Sequence, residues 1–151
     1  MEYVILKPEH VTQVAQLEAE CFSMPWSERS INSEITNPLA YWLVALDGNT
    51  VAGYVGSQSV MGEADMMNIA VKPAYRRKGI AKMLVEELVK GLQEREVHSL
   101  TLEVRYSNDA AISLYEKIGF VQVGIRPNYY SAPKEDALIL RKEWTCENTC
   151  N

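Results

Sequence analysis

Residues 72–82 read Lys72-Pro73-Ala74-Tyr75-Arg76-Arg77-Lys78-Gly79-Ile80-Ala81-Lys82 and hold five of the chain's fifteen Lys and Arg without one acidic residue. Upstream, 64–71 is an apolar run with strand character that ends at Lys72-Pro73. Downstream, Ile80, Ala81, Leu84, Val85, Leu88 and Leu92 repeat at helical spacing along one face. A strand therefore feeds a basic loop that opens a long helix. Such a helix start leaves backbone N–H groups without intrahelical partners, its dipole favours anions, and Gly79 lets the backbone approach a phosphate oxygen. The loop is suited to a pyrophosphate. The patterns G-x-x-x-x-G-K-S/T and G-x-G-x-x-G are absent, which excludes the Walker and Rossmann readings. On charge alone, a solvated basic loop is an equally open reading.

Working outward, residues 3–7 read as a strand, followed after Pro8 by a helix with Val11, Val14, Ala15 and Leu17 on one side. Ser23-Met24-Pro25-Trp26-Ser27 breaks it. Ser27 caps a short second helix carrying Ile31 and Ile35, which Asn37-Pro38 ends. Residues 41–46 and 51–60 form an antiparallel pair around the turn Asp47-Gly48-Asn49. Beyond the long helix, Leu100, Leu102 and Val104 alternate with Thr101, Glu103 and Arg105, so Glu103 faces away from the core side. Asn108 caps a helix with the stripe Ala111, Leu114, Tyr115 and Ile118, and Gly119 suits its left-handed end. Strands at 120–125 and 137–142 close the chain, with Asn128-Tyr129-Tyr130 in the loop between them. The order βααβββαβαββ predicts an α/β fold.

The 151 residues, 47% hydrophobic and 23% charged, are the size of one domain that can bury roughly 70% of its unfolded surface. No linker or repeat divides them, so one domain is expected over 1–144, with a polar, disordered tail at 145–151. A net charge of −5 argues against a whole-surface nucleic-acid binder. No apolar run of spanning length or signal peptide occurs, which argues against a membrane protein or an export product. Cys21, Cys146 and Cys150 form no Cys-x-x-Cys pair, and His10 and His98 stand in no ligand pattern. Reduced thiols in a cytoplasmic protein without a metal are expected. Cys21, with no histidine nearby, reads as a buried small hydrophobe rather than a nucleophile.

Arg76-Arg77-Lys78-Gly79-Ile80-Ala81 matches the R/Q-x-x-G-x-G/A signature and resembles the GCN5-related N-acetyltransferases, whose loop holds the pyrophosphate of coenzyme A. Met67-Asn68-Ile69-Ala70-Val71 also resembles that family. So do Phe22–Ser27, Leu102-Glu103-Val104-Arg105 with Asn108, Leu114-Tyr115-Glu116, Gly119-Phe120, Arg126–Tyr130 and Glu135-Asp136-Ala137. Together they are similar to the RimI-type subgroup, which acetylates the N-terminal alanine of a small-subunit ribosomal protein. Ala81 departs from the second glycine that many members carry. The resemblance implies a mixed, mostly antiparallel sheet flanked by helices and splayed between its fourth and fifth strands, with acetyl-CoA in the splay.

It also implies roles. Arg76, Arg77, Lys78, Gly79, Ile80, Ala81 and Lys82 would hold the pyrophosphate. Ile69, Ala70 and Val71 would hold the pantetheine through main-chain contacts, with Asn108 touching the same arm. Trp26, Tyr129 and Tyr130 would flank the acceptor groove. An α-amine with pKa about 7.7–8.0 is mostly protonated at neutral pH, so a base is useful, and Glu103 matches the family's base. Expulsion of a thiolate calls for an acid, and Tyr115 matches the family's proton donor. From spacing alone, Glu103 is equally a surface carboxylate paired with Arg105, Tyr115 a core aromatic, and Trp26 a packing residue. A protein N-terminus is the expected acceptor, by direct transfer in a ternary complex. A small-molecule amine, a lysine side chain and a non-catalytic CoA-binding module are the alternatives.

Overall fold

The elements follow the predicted order: β1 (Glu2–Ile5), α1 (Val11–Cys21), α2 (Glu28–Glu34), β2 (Ala40–Asp47), β3 (Thr50–Val60), β4 (Glu63–Val71), α3 (Ile80–Glu94), β5 (Ser99–Arg105), α4 (Asp109–Ile118), β6 (Val121–Ser131) and β7 (Lys134–Glu143). The computed structural model describes residues 1–144. The expectations for the 145–151 tail, with Cys146 and Cys150, lie outside the described residues. The punctuation read from the sequence acts as expected. Ser27 Oγ accepts the Ser30 N–H at 3.0 Å, and Asn108 Oδ1 accepts that of Ala111 at 3.2 Å. Gly119 ends α4 with φ 108°, a left-handed conformation in which glycine meets no Cβ penalty.

The strands form one sheet in the order β1-β2-β3-β4-β5-β7-β6. Among the described strands only β4 and β5 run parallel, because α3 carries the chain across the sheet between them. On one face α3 and α4 bury Leu84, Val85, Leu88, Leu92 and Tyr115 against Leu43, Val55, Leu100, Leu102 and Leu140. On the other, α1 and α2 bury Val14, Leu17 and Ile31 against Trp42, Val44 and Tyr54. Leu84 and Leu88 are fully buried, so truncating either to alanine removes about 2–5 kcal/mol.

The parallel pairing is short. It joins Glu63 to Ser99, Ala64 to Leu100 and Asp65 to Thr101, and then stops. The strands part at a β-bulge in β4, where Ser57 of β3 opposes Met66 and Gly56 opposes Asn68, leaving Met67 as the extra residue. A one-residue insertion exchanges the faces of every residue that follows. Ala64 and Met66 accordingly join the α3 core, whereas Ala70 joins the α1 core and Ile69 and Val71 pack on the α3 side. The expected splay is present, and the bulge sits at its root.

The C-terminal hairpin differs from its sequence reading. Asn128, Tyr129 and Tyr130 lie within β6 rather than in a loop, and β7 begins at Lys134 rather than at 137. Pro127 has no N–H for the ladder, so β6 bulges between Arg126 and Tyr130 and then resumes pairing at Tyr130–Glu135. Asn128 takes the left-handed φ of 55° in this bulge, and its N–H is satisfied by Asp136 Oδ1 at 2.8 Å.

Candidate active site

The loop before α3 presents uncommitted donors. Gly79 is the N-cap of α3 at φ 78°, and no side chain caps the helix. The N–H groups of the first turn, at Ile80, Ala81 and Lys82, are thus left without intrahelical acceptors. The space where a Gly79 Cβ would stand is open, with no heavy atom within 4 Å. Arg77, Lys78 and Lys82 are exposed around it, and Arg77 is itself left-handed at φ 65°. These groups fit a pyrophosphate. Arg76 points elsewhere: its Nε donates to Val71 O at 3.0 Å and its Nη2 approaches Cys21 Sγ at 3.8 Å. It ties the loop to β4 and to the end of α1. Cys21, the last residue of α1, is half-buried beside that guanidinium rather than a fully buried small hydrophobe.

Past Asp65 the β5 side of β4 is unpaired. Lys72 N–H bonds back to Ala52 O of β3, and backbone groups alternate along a strand, so Ile69 and Val71 turn theirs toward the opening. Leu102 and Val104 of β5 point into the α3 core, which places Glu103 on the α1–α2 face. Tyr115 comes from the opposite face. Its hydroxyl donates toward Met66 Sδ at 4.0 Å, at the residue where β4 leaves β5, and its ring meets Phe120 edge-on at 5.5 Å. The two residues read as base and acid thus stand on opposite sides of the sheet, with the splay between them. Burial, and then the neighbouring Tyr130 phenol, push the Tyr115 hydroxyl up to about 12. It is a firmly protonated hydrogen-bond donor at neutral pH.

Glu103 is not paired with Arg105. Its Oε1 meets Arg126 Nε at 3.2 Å, while Arg105 binds Glu135 at 3.3 Å. Arg105 also donates to Pro133 O at 2.9 Å and Ala132 O at 3.2 Å and lies over the Tyr130 ring at 4.2 Å. These contacts fix the β6–β7 hairpin. Tyr129 and Tyr130 meet edge-on at 5.0 Å, and the Arg126 guanidinium stands 5.9 Å from the Tyr129 ring. Burial foremost pushes both phenols up, Tyr130 to about 12, and the Glu103 carboxylate adds to both. Glu103, Tyr129 and Tyr130 therefore share one neighbourhood. Asn108 is adjacent in the chain to β5, with its Oδ1 committed to capping α4.

Trp26 sits differently. Its indole packs edge-on against Trp42 at 5.3 Å and is half-buried in the α1–α2 core. The Trp26 backbone N–H donates to Glu18 Oε1 at 3.2 Å. Glu18 is fully buried and also accepts from the Tyr54 hydroxyl and from Asn68 Nδ2 at 2.8 and 3.0 Å. One carboxylate thus joins α1, the α1–α2 loop, β3 and the bulged part of β4. No role is expected of Glu18 from the sequence, although its spacing carries a signal. Glu18 lies four residues from Val14 and seven from Val11, on the stripe that packs the sheet, and a carboxylate on a buried stripe needs partners. Arg126 left no comparable signal, since its partner lies on the preceding strand in the chain and is reached only because β7 inserts between β5 and β6 in the sheet.

The family model for the acetyltransferase (GNAT) family matches residues 11–120. The chain belongs to this family. Among curated GNAT relatives, the ribosomal protein bS18-alanine N-acetyltransferase of Escherichia coli K12 is 40% identical over 126 residues, covering 82% of this chain and 84% of that protein. The N-alpha-acetyltransferase RimI of Mycobacterium tuberculosis is 36% identical over 135 residues, covering 85% and 84%. The crystal structure of the Escherichia coli ribosomal-protein-S18-alanine N-acetyltransferase superposes with a TM-score of 0.85 at 35% identity, over 94% of this chain and 92% of that one. The GNAT fold expected from 72–82 and its surroundings is the fold observed. No helix among the described residues is long and apolar enough to cross a membrane.

Proposed function

We propose that this chain moves the acetyl group of acetyl-CoA to the α-amine of a protein N-terminus, the N-terminal alanine of a small-subunit ribosomal protein, by direct transfer in a ternary complex. The observation that carries this reading is the opening between β4 and β5 with Glu103 on one face and Tyr115 on the other. Its acceptor follows the names of relatives that are 36–40% identical over most of their length.

Acetyl-CoA supplies an activated acyl carbon with a thiolate leaving group. The pyrophosphate is held by the first-turn N–H groups of α3, with Arg77, Lys78 and Lys82 around it. Ile69 offers its main-chain groups to the pantetheine and Val71 its N–H, the Val71 carbonyl being held by Arg76 Nε, and an N–H there polarises the thioester carbonyl. Glu103 takes the ammonium proton of the acceptor and passes it to solvent. The free amine nitrogen then bonds to the acetyl carbon and gives its second proton to Glu103, the carbon–sulfur bond breaks, and the sulfur leaves as a thiolate on a hydrogen bond from the Tyr115 hydroxyl. A cysteine-like thiol has a pKa near 8.5, so full proton transfer from a phenol near 12 is uphill. Tyr115 therefore acts foremost as a hydrogen bond that strengthens as charge grows on sulfur. Tyr129, Tyr130 and the outer edge of Trp26 line the acceptor side. The place of work is the cytoplasm, where ribosomal proteins and acetyl-CoA meet.

The test is incubation with acetyl-CoA and a hexapeptide that begins with a free alanine and contains one lysine, read by fragmentation mass spectrometry. One acetyl on the α-amine is expected, with kcat reduced about 10²-fold or more in Glu103→Gln. Acetylation of the lysine instead, or no peptide product, rejects the reading.

A further inference from the structure

Two arginines stand in the acceptor neighbourhood and are held very differently. Arg105 is fixed by two carbonyls, by Glu135 and by the Tyr130 ring, and its side chain is 28% exposed. Among the described residues, Arg126 has one polar side-chain contact, the Glu103 carboxylate, and its side chain is 55% exposed. Arg126 pairs with Ala137 of β7, and Glu103 pairs with Ile139 of the same strand, so the arginine reaches across β7 diagonally. Ala137, between Arg126 and Arg105 in the sheet, carries only a methyl group and offers the guanidinium no side-chain acceptor. A half-exposed guanidinium with a single ion-pair partner is held weakly, whereas Arg105 already braces the hairpin without it.

The carboxylate that Arg126 occupies is the one the acceptor needs. An α-amine arrives mostly as ammonium at neutral pH. Its positive charge and that of the guanidinium compete for the same oxygens of Glu103, and two cations close together repel each other.

We propose that Arg126 is the resident counter-cation of Glu103, a positioning residue that the acceptor ammonium displaces on binding and that thereby sets acceptor affinity. The proposal rests on the reading of Glu103 and of the α-amine acceptor given above. In the free enzyme Arg126 keeps the carboxylate turned toward the acceptor side and paired. On acceptor entry the guanidinium moves out along the Tyr129 ring, which stands 5.9 Å from it.

The experiment compares wild type, Arg126→Gln, Arg126→Met and Arg126→Lys with acetyl-CoA and the hexapeptide bearing a free N-terminal alanine. Removing the competitor lowers the peptide KM about two- to fivefold, the size expected of a half-exposed ion pair, and leaves the acetyl-CoA KM unchanged. Arg126→Lys returns the peptide KM toward the wild-type value. Arg126→Met keeps the apolar arm and behaves like the glutamine variant, which separates lost charge from lost packing. In a Glu103→Gln background, peptide affinity measured by calorimetry with CoA present no longer responds to Arg126→Gln. A peptide KM that stays put or rises in Arg126→Gln overturns the proposal, as does a response that survives in the Glu103→Gln background. In either of these cases, wild-type acetylation of the peptide leaves the proposed function standing. A wild-type enzyme that leaves the peptide untouched overturns both.

Discussion

Replacing Tyr115 by phenylalanine separates the chemistry of the phenol from its packing. The ring is 5% exposed and packed on Phe120, and its hydroxyl has one weak partner, Met66 Sδ at 4.0 Å. Deleting the oxygen orphans no strong hydrogen-bonding group, so stability at pH 7 changes by less than about 1 kcal/mol. At alkaline pH the two proteins diverge. The hydroxyl titrates near 10.0 in the unfolded chain and near 12 in the fold. The protonated form is thus favoured by folding, and the stability it contributes is complete below pH 10 and lost as pH rises toward 12. At pH 11 the difference amounts to about 1.4 kcal/mol, approaching about 2.7 kcal/mol above pH 12. Urea unfolding of both proteins at pH 8 and pH 11 reads this quantity, because Tyr54 contributes equally to each and the coupling to Tyr130 is part of the Tyr115 shift itself. Wild type loses about 1.4 kcal/mol more than the variant over that interval, while kcat at pH 7.5 falls about 10²-fold in the variant. Equal losses with pH would show that the phenol is not held in a desolvated pocket at the splay. An unchanged kcat would remove Tyr115 from the reaction.

Glu18→Ala strips the acceptor from the Tyr54 hydroxyl, the Asn68 amide and the Trp26 N–H, all at a fully buried site. A loss of about 3 kcal/mol in urea unfolding is expected, and a loss under 1 kcal/mol contradicts the network. Gly79→Ala meets no atom within 4 Å, so its cost is the left-handed backbone alone, about 1 kcal/mol. The same methyl stands at the open helix start and raises the acetyl-CoA KM severalfold without altering the peptide KM. Asn108→Ala removes the cap from Ala111 N–H and lowers thermal stability by about 1 kcal/mol, measured by calorimetry.

The parts that were legible in the sequence are those that physics writes locally. Helical spacing from Ile80 to Leu92, the Ser27 and Asn108 caps, the Gly119 terminus and the alternation around Glu103 each depend on neighbours within a few residues. The basic loop before α3 was legible for the same reason, since strand, glycine and helix start are consecutive. The proline at 127 was visible, but its effect was not. A residue without an N–H can end a strand or bulge it, and here the pairing of Tyr130 with Glu135 makes it a bulge.

The order of elements, their apolar faces and the loop suited to a pyrophosphate follow from the residue order, because periodicity and capping act within one element. Tertiary structure alone decided the extra residue Met67, which exchanges the faces of β4 and turns Asn68 toward Glu18. It also decided that Glu103 meets Arg126 across β7 rather than Arg105 two residues on. In a strand, side chains two apart share a face but each can reach further across the sheet. Which partner wins is fixed by cross-strand register, and register exists only once the strands have paired.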